Sequence, residues 1–254
     1  MIISDRPGKF TCPHCGGEKY VLAIFSGNTC RGEVWSDSRH YYPMLPQYSP
    51  IQRCPECGRY FYKEDGNFKM VDSVTIDGKV IEFETERFIG SLYDDSPAVP
   101  PTPEEIERDR IRDYYNKKAS ENRFGELSYQ ELAEAEKDIL TKGVSAEREK
   151  TYLMTFIFAY NDARYGRAGT PKQEIPAHDH DLLRRNALRL VHLQDGDTIL
   201  AADLWRELGE FDKSAAMCGR LIAAGEKPDV VRQILERAER HDPEVFQIEF
   251  PQNQ

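Results

Sequence analysis

The sequence has no hydrophobic run long enough to cross a bilayer and no excess of positive charge. Its longest strongly apolar stretch, Tyr152–Tyr160, is less than half of the ~20 residues that a spanning helix needs. The chain has 254 residues, with 34 Lys and Arg against 44 Asp and Glu and a formal net charge of -10. Nucleic acid and anionic membranes attract cationic surfaces, so we expect no membrane contact and no general contact with nucleic acid.

Signals for targeting and catalysis are also missing. The first residues, Met1–Pro7, contain no apolar stretch of signal-peptide length, so we expect a cytoplasmic protein. The sequence contains no Walker loop, no GxSxG, no HExxH and no glycine-rich dinucleotide turn. We therefore expect a binding protein that is not an enzyme.

Four of the six cysteines form two matched pairs, each reading C-P-x-C-G. The four are Cys12, Cys15, Cys54 and Cys57. Two thiolates separated by two residues reach one tetrahedral ion when the backbone turns tightly, and the proline and glycine favour that turn. A reducing cytoplasm disfavours disulfides and favours metal sites. We predict one structural zinc ion per chain at these four sulfurs; iron and a redox dithiol are less favoured.

The other two cysteines have no close partner in the sequence. Cys218 lies on an apolar helical face, which predicts a core residue. Cys30 could be a fifth thiol near the metal, but we favour a role outside the site.

Each C-P-x-C-G turn, here called a knuckle, is followed by a strand-like run. These runs are Lys19–Phe25 and Arg59–Tyr62. Together they resemble the zinc-ribbon class, with a knuckle similar to that of rubredoxin. The resemblance implies two short hairpins that clamp one ion. The chain departs from a compact ribbon because about forty residues separate the two pairs.

The insertion between the knuckles, residues 26–53, is rich in aromatic residues and proline. It is too rich in proline for a regular element. The favoured interpretation is that it wraps the body of the protein and buries Trp35 and Leu45. The alternative is a recognition surface, in which Trp35, Tyr41 and Tyr42 contact a partner.

The overall pattern predicts an α+β fold, with a small zinc-ribbon β domain followed by an all-α, repeat-like domain. Residues 1–93 hold the ribbon, its insertion and a β-hairpin, which the Asp77-Gly78 turn predicts. Residues 94–103 form a proline-rich linker, and residues 104–254 form the helical domain. The alternating segment Val245–Phe250 predicts a final strand or an extended arm.

One helical hairpin resembles the tetratricopeptide repeat. Ala202 lies where two helices touch, Trp205 follows three residues later, and Gly209–Asp212 matches the turn between the helices. Leu221 and Pro228 depart from the family pattern. The layout is also similar to bacterial proteins that join a paired-CxxC head to repeat-like helices, a group that carries no known activity.

These features predict a zinc-binding scaffold that recognises a protein or peptide through its helical, repeat-like body. Three arginines on one helix face are candidates for contact with an acidic partner, although a solvated face paired with nearby acids is favoured. They are Arg184, Arg185 and Arg189.

Two other functions remain open. A nucleic-acid-binding ribbon is disfavoured because residues 1–66 hold eight Lys and Arg against seven Asp and Glu, before four thiolates on one divalent ion add about two negative charges. An unrecognised enzyme would use the Asn161/Asp162/Arg164 group or the His178/His180 pair, and these groups would have to converge on one pocket.

Overall fold

The computed structural model describes residues 7–22, 32–42, 49–70, 73–76, 79–82, 102–121, 127–141, 143–167 and 169–250. The chain divides into two compact units. The knuckle unit comprises Met1–Asn28 and Gln52–Gly125, and the helical unit comprises Thr29–Ile51 and Glu126–Gln254. Strands precede helices along the chain, which confirms the predicted α+β class.

Short antiparallel strands carry the knuckles. These strands are β1 (Pro7–Thr11), β2 (Glu18–Leu22), β5 (Ile51–Arg53), β6 (Tyr60–Tyr62), β7 (Asn67–Met70), β8 (Ser73–Ile76) and β9 (Lys79–Glu82), of which β5 forms the end of the insertion. One sheet has the order β2-β1-β7, and β5 pairs with β6. The predicted hairpin is present, because β8 pairs with β9 in the register Val74↔Ile81. Helix α1 (Pro103–Glu121) packs on β1 and β2.

The core of the knuckle unit joins two aromatic rings to two of the cysteines. Phe10 and Phe61 stack with their ring centroids 5.1 Å apart, and they form one buried cluster with Cys12 and Cys54. Gly66 lies directly against the Phe10 ring, so a side chain at this position would overlap with the ring. The core therefore depends on a small residue at Gly66.

Gly66→Ala is expected to destabilise the knuckle unit by about 1–3 kcal/mol, because the added methyl group displaces Phe10 from its stack. The measurement is the hydrogen-exchange protection of amides in β1 and β7. Gly219→Ala in the helical unit is the control: no atom lies within 4 Å of the added methyl, so we expect a gain of about 0.5–1 kcal/mol. Unchanged protection in Gly66→Ala would contradict the packing.

The helical unit contains a short hairpin and six helices in its described residues. The elements are β3 (Glu33–Val34), β4 (His40–Tyr41), α2 (Tyr129–Ile139), α3 (Ala146–Tyr165), α4 (Ala177–His192), α5 (Ile199–Glu207), α6 (Phe211–Ala223) and α7 (Pro228–Glu239). A capping box begins α2, because Ser128 Oγ accepts from the Glu131 amide and Glu131 accepts from the Ser128 amide. The apolar helix α3 lies between α2 and α4, with Tyr152, Phe156 and Tyr160 fully buried.

Helices α5, α6 and α7 pack against one another and are joined by short turns. Gly209 follows the end of α5 and Gly225 follows the end of α6, and both have φ of +78°, the left-handed conformation that commonly ends a helix. Ala202 and Cys218 are buried between these helices, as the pattern predicts for both residues. Residues 244–250, called the strap from here on, pack against the same helices through Phe246.

The boundaries of the two units differ from the predicted domains 1–93 and 104–254. Residues 29–51 cluster with the helices because the insertion buries Asp37 among polar groups of α3 and the loop after it. Helix α1 clusters with the strands because it packs on β1 and β2, and its Ile111 is buried. Of the predicted linker 94–103, only Thr102 and Pro103 lie within the described residues, and Leu45 lies outside them.

Candidate metal centre

The four paired cysteines meet in the knuckle unit. Their sulfur atoms all lie within 4.8 Å of one another. Cys12 Sγ lies 4.0 Å from Cys57 Sγ, and Cys15 Sγ lies 3.8 Å from Cys54 Sγ. A tetrahedral ion with metal–sulfur bonds of about 2.3 Å places its sulfurs about 3.8 Å apart. The observed spacing therefore fits one tetrahedral ion held by all four thiolates.

The two knuckles have the same backbone geometry. In the first, the Cys12 amide donates to the Gly17 carbonyl at 2.9 Å, and the Gly16 amide donates back to Cys12 at 3.0 Å. In the second, the Cys54 amide donates to the Arg59 carbonyl at 2.9 Å, and the Gly58 amide donates back to Cys54 at 2.9 Å. Gly16 and Gly58 both have φ of +72°, a conformation that glycine adopts without the strain of a side chain. The repeated sequence thus builds the same turn twice.

Backbone amides surround the sulfurs symmetrically. The His14 amide donates to Cys12 Sγ at 3.4 Å, and the Glu56 amide makes the equivalent contact with Cys54. Burial raises the pKa of the Cys54 thiol, but hydrogen bonds from the Cys57 and Glu56 amides and from the Cys12 and Cys57 side chains together bring that pKa down to about 7. Burial raises the pKa of Cys12. Amides that stabilise thiolate charge prepare the cluster for a cation, and binding the cation displaces the thiol protons.

The third residue of each knuckle, His14 or Glu56, contacts the strand that follows the other knuckle. His14 Nε2 donates to the Tyr60 carbonyl at 3.0 Å, which fixes the ring proton on Nε2. Glu56 Oε1 lies 3.1 Å from Lys19 Nζ, so the lysine offsets a carboxylate placed beside the thiolates. His14 is exposed to solvent, and its ring also joins the first knuckle to β6.

Burial differs between the two cysteines of each pair. Cys12 and Cys54 are each 3% exposed, whereas Cys15 and Cys57 are exposed to solvent. Four sulfur donors complete a tetrahedral shell and leave no position for water or substrate. This arrangement can hold the unit together, and it offers no open coordination position for chemistry.

The aromatic residues predicted to contact a partner lie within the helical unit. Trp35 is half-buried, with its ring 4.8 Å from the Arg167 guanidinium and its Nε1 donating to Glu33 at 3.3 Å. Tyr41 and Tyr42 are also half-buried, and the Tyr42 hydroxyl lies 3.5 Å from a His40 ring nitrogen. Their role in partner binding stays a prediction, although the wrapping interpretation agrees with these contacts.

The three arginines on α4 are paired with groups of their own unit. Arg185 and Arg189 both bind Glu136, at 2.7 Å and 2.8 Å, and Arg189 also binds Glu149. Arg184 donates to the Leu208 carbonyl at 3.2 Å. These contacts agree with the favoured interpretation of a solvated face paired with nearby acids, and contact with an acidic partner stays a prediction.

A buried ion network joins the insertion to the end of α3. Arg167 binds both carboxylate oxygens of Asp37, at 3.2 Å and 2.8 Å, and also contacts Asp162 at 3.0 Å. Arg39 binds the other oxygen of Asp162 at 3.2 Å, and Asn161 donates to Asp37 at 2.9 Å. Asn161 and Asp162 thus fasten a helix end to a neighbouring segment. Arg164 points elsewhere, to Glu244.

The same network continues into α5 through residues that the sequence analysis did not identify. Arg206 is fully buried and donates from Nε to Asp203 at 2.8 Å. Its Nη1 donates to the Asp242 and Glu244 carbonyls, at 2.6 Å and 2.8 Å, and its Nη2 donates to Ser36 Oγ at 3.3 Å. The available signal was three charged residues, at positions 203, 206 and 207, in a helix whose other faces are apolar.

Two carboxyl groups of α5, those of Glu207 and Asp203, have raised pKa values. Burial raises the pKa of Glu207 well above its usual range, and the charges of Asp203 and Asp37 raise it further. Burial also raises the pKa of Asp203, although Arg206 opposes that shift. Interaction with the Asp203 carboxyl group also raises the pKa of Glu207, which keeps the proton on Glu207 at pH values where an exposed glutamate has lost it.

This proton makes stability depend on pH. The pKa of Glu207 is higher in the folded state than the ~4.3 of an unfolded chain, so its contribution is full below that pH and is lost as pH rises through the folded pKa. Glu207→Gln keeps a donor to Asp203 without the titration. We expect the melting temperature of Glu207→Gln to exceed that of the parent by an amount that grows from pH 5 to pH 9. Exposed Glu239→Gln is the control, and parallel pH profiles for Glu207→Gln and parent would refute the raised pKa of Glu207.

The two histidines do not form a metal site. Tyr160 Oη lies 2.6 Å from His180 Nδ1, and His178 Nε2 lies 3.1 Å from Asp179. Asp179 accepts from the Tyr129 hydroxyl at 2.9 Å and lies inside α4. Among the described residues, neither histidine belongs to a group able to hold a metal ion.

No protein-family model, no curated protein and no solved structure matches this chain. Among the described helices, none combines the length and the apolar character that crossing a bilayer requires. The fold and the site therefore define the class: an α+β protein with a four-cysteine cluster able to hold a metal ion, followed by packed helices.

Proposed function

We propose that this protein is a cytoplasmic scaffold in which one zinc ion organises the knuckle unit and the helical unit recognises a peptide segment of a partner. The observation that carries the metal assignment is the spacing of the four sulfurs, which suits one tetrahedral ion. A closed shell of four thiolates is the usual form of structural zinc, which favours zinc over iron and binding over catalysis. The five cysteines within the described residues form no disulfide, which agrees with the proposed reducing compartment.

Elemental analysis of the purified chain tests the metal assignment. We expect about one zinc per chain and a colourless protein. Iron at the same ratio, with visible absorption, would replace the zinc assignment. Protein free of both metals under reducing conditions would contradict a metal-organised unit.

The recognition function is supported by the helical unit. Helices α5 to α7 stack as consecutive hairpins, and stacked hairpins present extended surfaces to peptides. Cross-linking the tagged full chain in cells tests the assignment. We expect partner cross-links at Lys172, Lys213 and Lys227, which are exposed on the helical unit. Partner cross-links confined to lysines of the knuckle unit would place recognition there instead.

A further inference from the structure

The strap is held as a bound peptide would be held. Its backbone lies antiparallel to β3, on the edge opposite β4. The Ile248 amide donates to the Val34 carbonyl at 2.7 Å, and the Ser36 amide donates to the Phe246 carbonyl at 2.9 Å. These bonds extend the β3–β4 hairpin by one extended segment, which is the geometry of recognition by strand addition.

Helix α7 holds the backbone of the strap at a second place. Gln233 Nε2 donates to the Glu249 carbonyl at 2.8 Å, and the Glu249 amide donates to Gln233 Oε1 at 2.9 Å. One side-chain amide thus satisfies both backbone groups of one strap residue. Such contacts are independent of the side chain at position 249, so they bind an extended chain without reading its sequence at that position.

Side chains of the strap supply the specificity. Val245 and Ile248 are buried, whereas Gln247 and Glu249 are exposed. The Phe246 ring lies between two guanidinium groups, 5.2 Å from Arg206 and 4.9 Å from Arg237. An aromatic ring gains a cation–π contact there that an aliphatic side chain lacks. The surface therefore selects an aliphatic residue, an aromatic residue, any polar residue and an aliphatic residue, in that order.

We propose that the groove between helix α7 and the edge of β3 opposite β4 is the docking site for an extended segment of a partner protein with this aliphatic–aromatic–polar–aliphatic pattern. The strap occupies the groove in competition with the partner. The proposal rests on the proposed recognition function and gives it a place and a ligand chemistry. Because the strap is tethered beside the groove, its effective concentration is high, and a partner segment binds only when it displaces the strap.

Truncation after Glu244 empties the groove while it retains the Asp242 and Glu244 carbonyls that Arg206 binds. The probe is a fluorescein-labelled peptide with the sequence of residues 243–250, and the readout is fluorescence anisotropy. We expect the truncated chain to bind the peptide at least about 100-fold more tightly than the full chain. A folded truncated chain that binds no better than the full chain overturns the proposal.

Matched peptides test the predicted pattern. Phe246→Ser in the peptide is expected to weaken binding at least about 10-fold, because the ring between the two arginines is lost. Gln247→Ser is expected to leave binding within about twofold, since that side chain is exposed. Equal loss in both peptides overturns the proposed specificity.

Hydrogen exchange on the full chain gives an answer even if the truncated chain does not fold. Displacement requires the strap to open without unfolding of the helices, so the Ser36 and Ile248 amides should exchange at least about 100-fold faster than amides in the centre of α7. Equal rates mean that the strap opens only with the whole unit, and this overturns the proposal. A strap-exchanged dimer in solution also overturns it, since a second copy is then the occupant.

The proposed function can be judged separately from the groove. Zinc content measured on the same samples reports the metal centre alone. If the peptide assay and the exchange rates fail while partners still cross-link to the helical unit, recognition stands and lies on another surface.

Discussion

The double variant Cys54→Ser/Cys57→Ser is expected to lose zinc completely and to unfold the knuckle unit. The described core of the knuckle unit is small and consists of Phe10 and Phe61 together with the buried Cys12 and Cys54. Structural zinc contributes about 10–16 kcal/mol to small domains, more than so small a core supplies. Zinc content is measured by elemental analysis, and folding by hydrogen-exchange protection of β1 and β2. We also expect the variant to lose solubility.

Cys218→Ala is the matched control for this variant. Cys218 is a buried cysteine of α6 in the helical unit, packed with Ala202 and Leu221 rather than with the other sulfurs. We expect it to keep one zinc per chain and the full protection of the knuckle strands. Retention of zinc by the double serine variant would show that the second knuckle is not part of the site.

Arg206→Met is expected to destabilise the helical unit by about 3–5 kcal/mol. The substitution leaves Asp203 as a buried carboxylate without its cation, and it removes the donor to the Asp242 and Glu244 carbonyls. Removing one partner of a buried pair costs far more than the pair contributes by its attraction, because the remaining charge stays out of water. Urea unfolding followed by circular dichroism at 222 nm measures the loss.

The matched control is Arg220→Met. Arg220 also binds one carboxylate through two nitrogens, at Asp197, but both side chains are accessible to water. We expect a loss of at most about 1 kcal/mol. The double variant Asp203→Asn/Arg206→Met should regain part of the stability lost by Arg206→Met, since no buried charge is left behind at that pair. Equal effects of the two arginine variants would contradict the role assigned to burial.

The metal centre was predictable from the sequence because its geometry is local and repeated. A knuckle is specified by five consecutive residues, so the C-P-x-C-G letters at positions 12–16 and 54–58 predict both turns and the meeting of the sulfurs. The hairpin at β8 and β9 and the capping box of Ser128 were predictable for the same reason. Each depends on side chains within a few residues of one another.

The buried ion network was not predictable, because its members are far apart in the chain. Asp37 and Arg167 are separated by 130 positions, and Ser36 and Arg206 by 170. The sequence does not reveal that Asp37 and Arg167 are buried, since Asp and Arg are usually exposed. The placement of residues 29–51 with the helices follows from these contacts, which explains the difference from the predicted domain boundaries.

X-ray absorption spectroscopy at the zinc edge tests the central claim most directly. The account predicts one zinc per chain with four sulfur neighbours at about 2.3 Å and no lighter atom in the shell. The spectrum of the parent should be unchanged in Cys218→Ala. A shell that contains nitrogen or oxygen, or fewer than four sulfurs, would contradict a closed site built from Cys12, Cys15, Cys54 and Cys57.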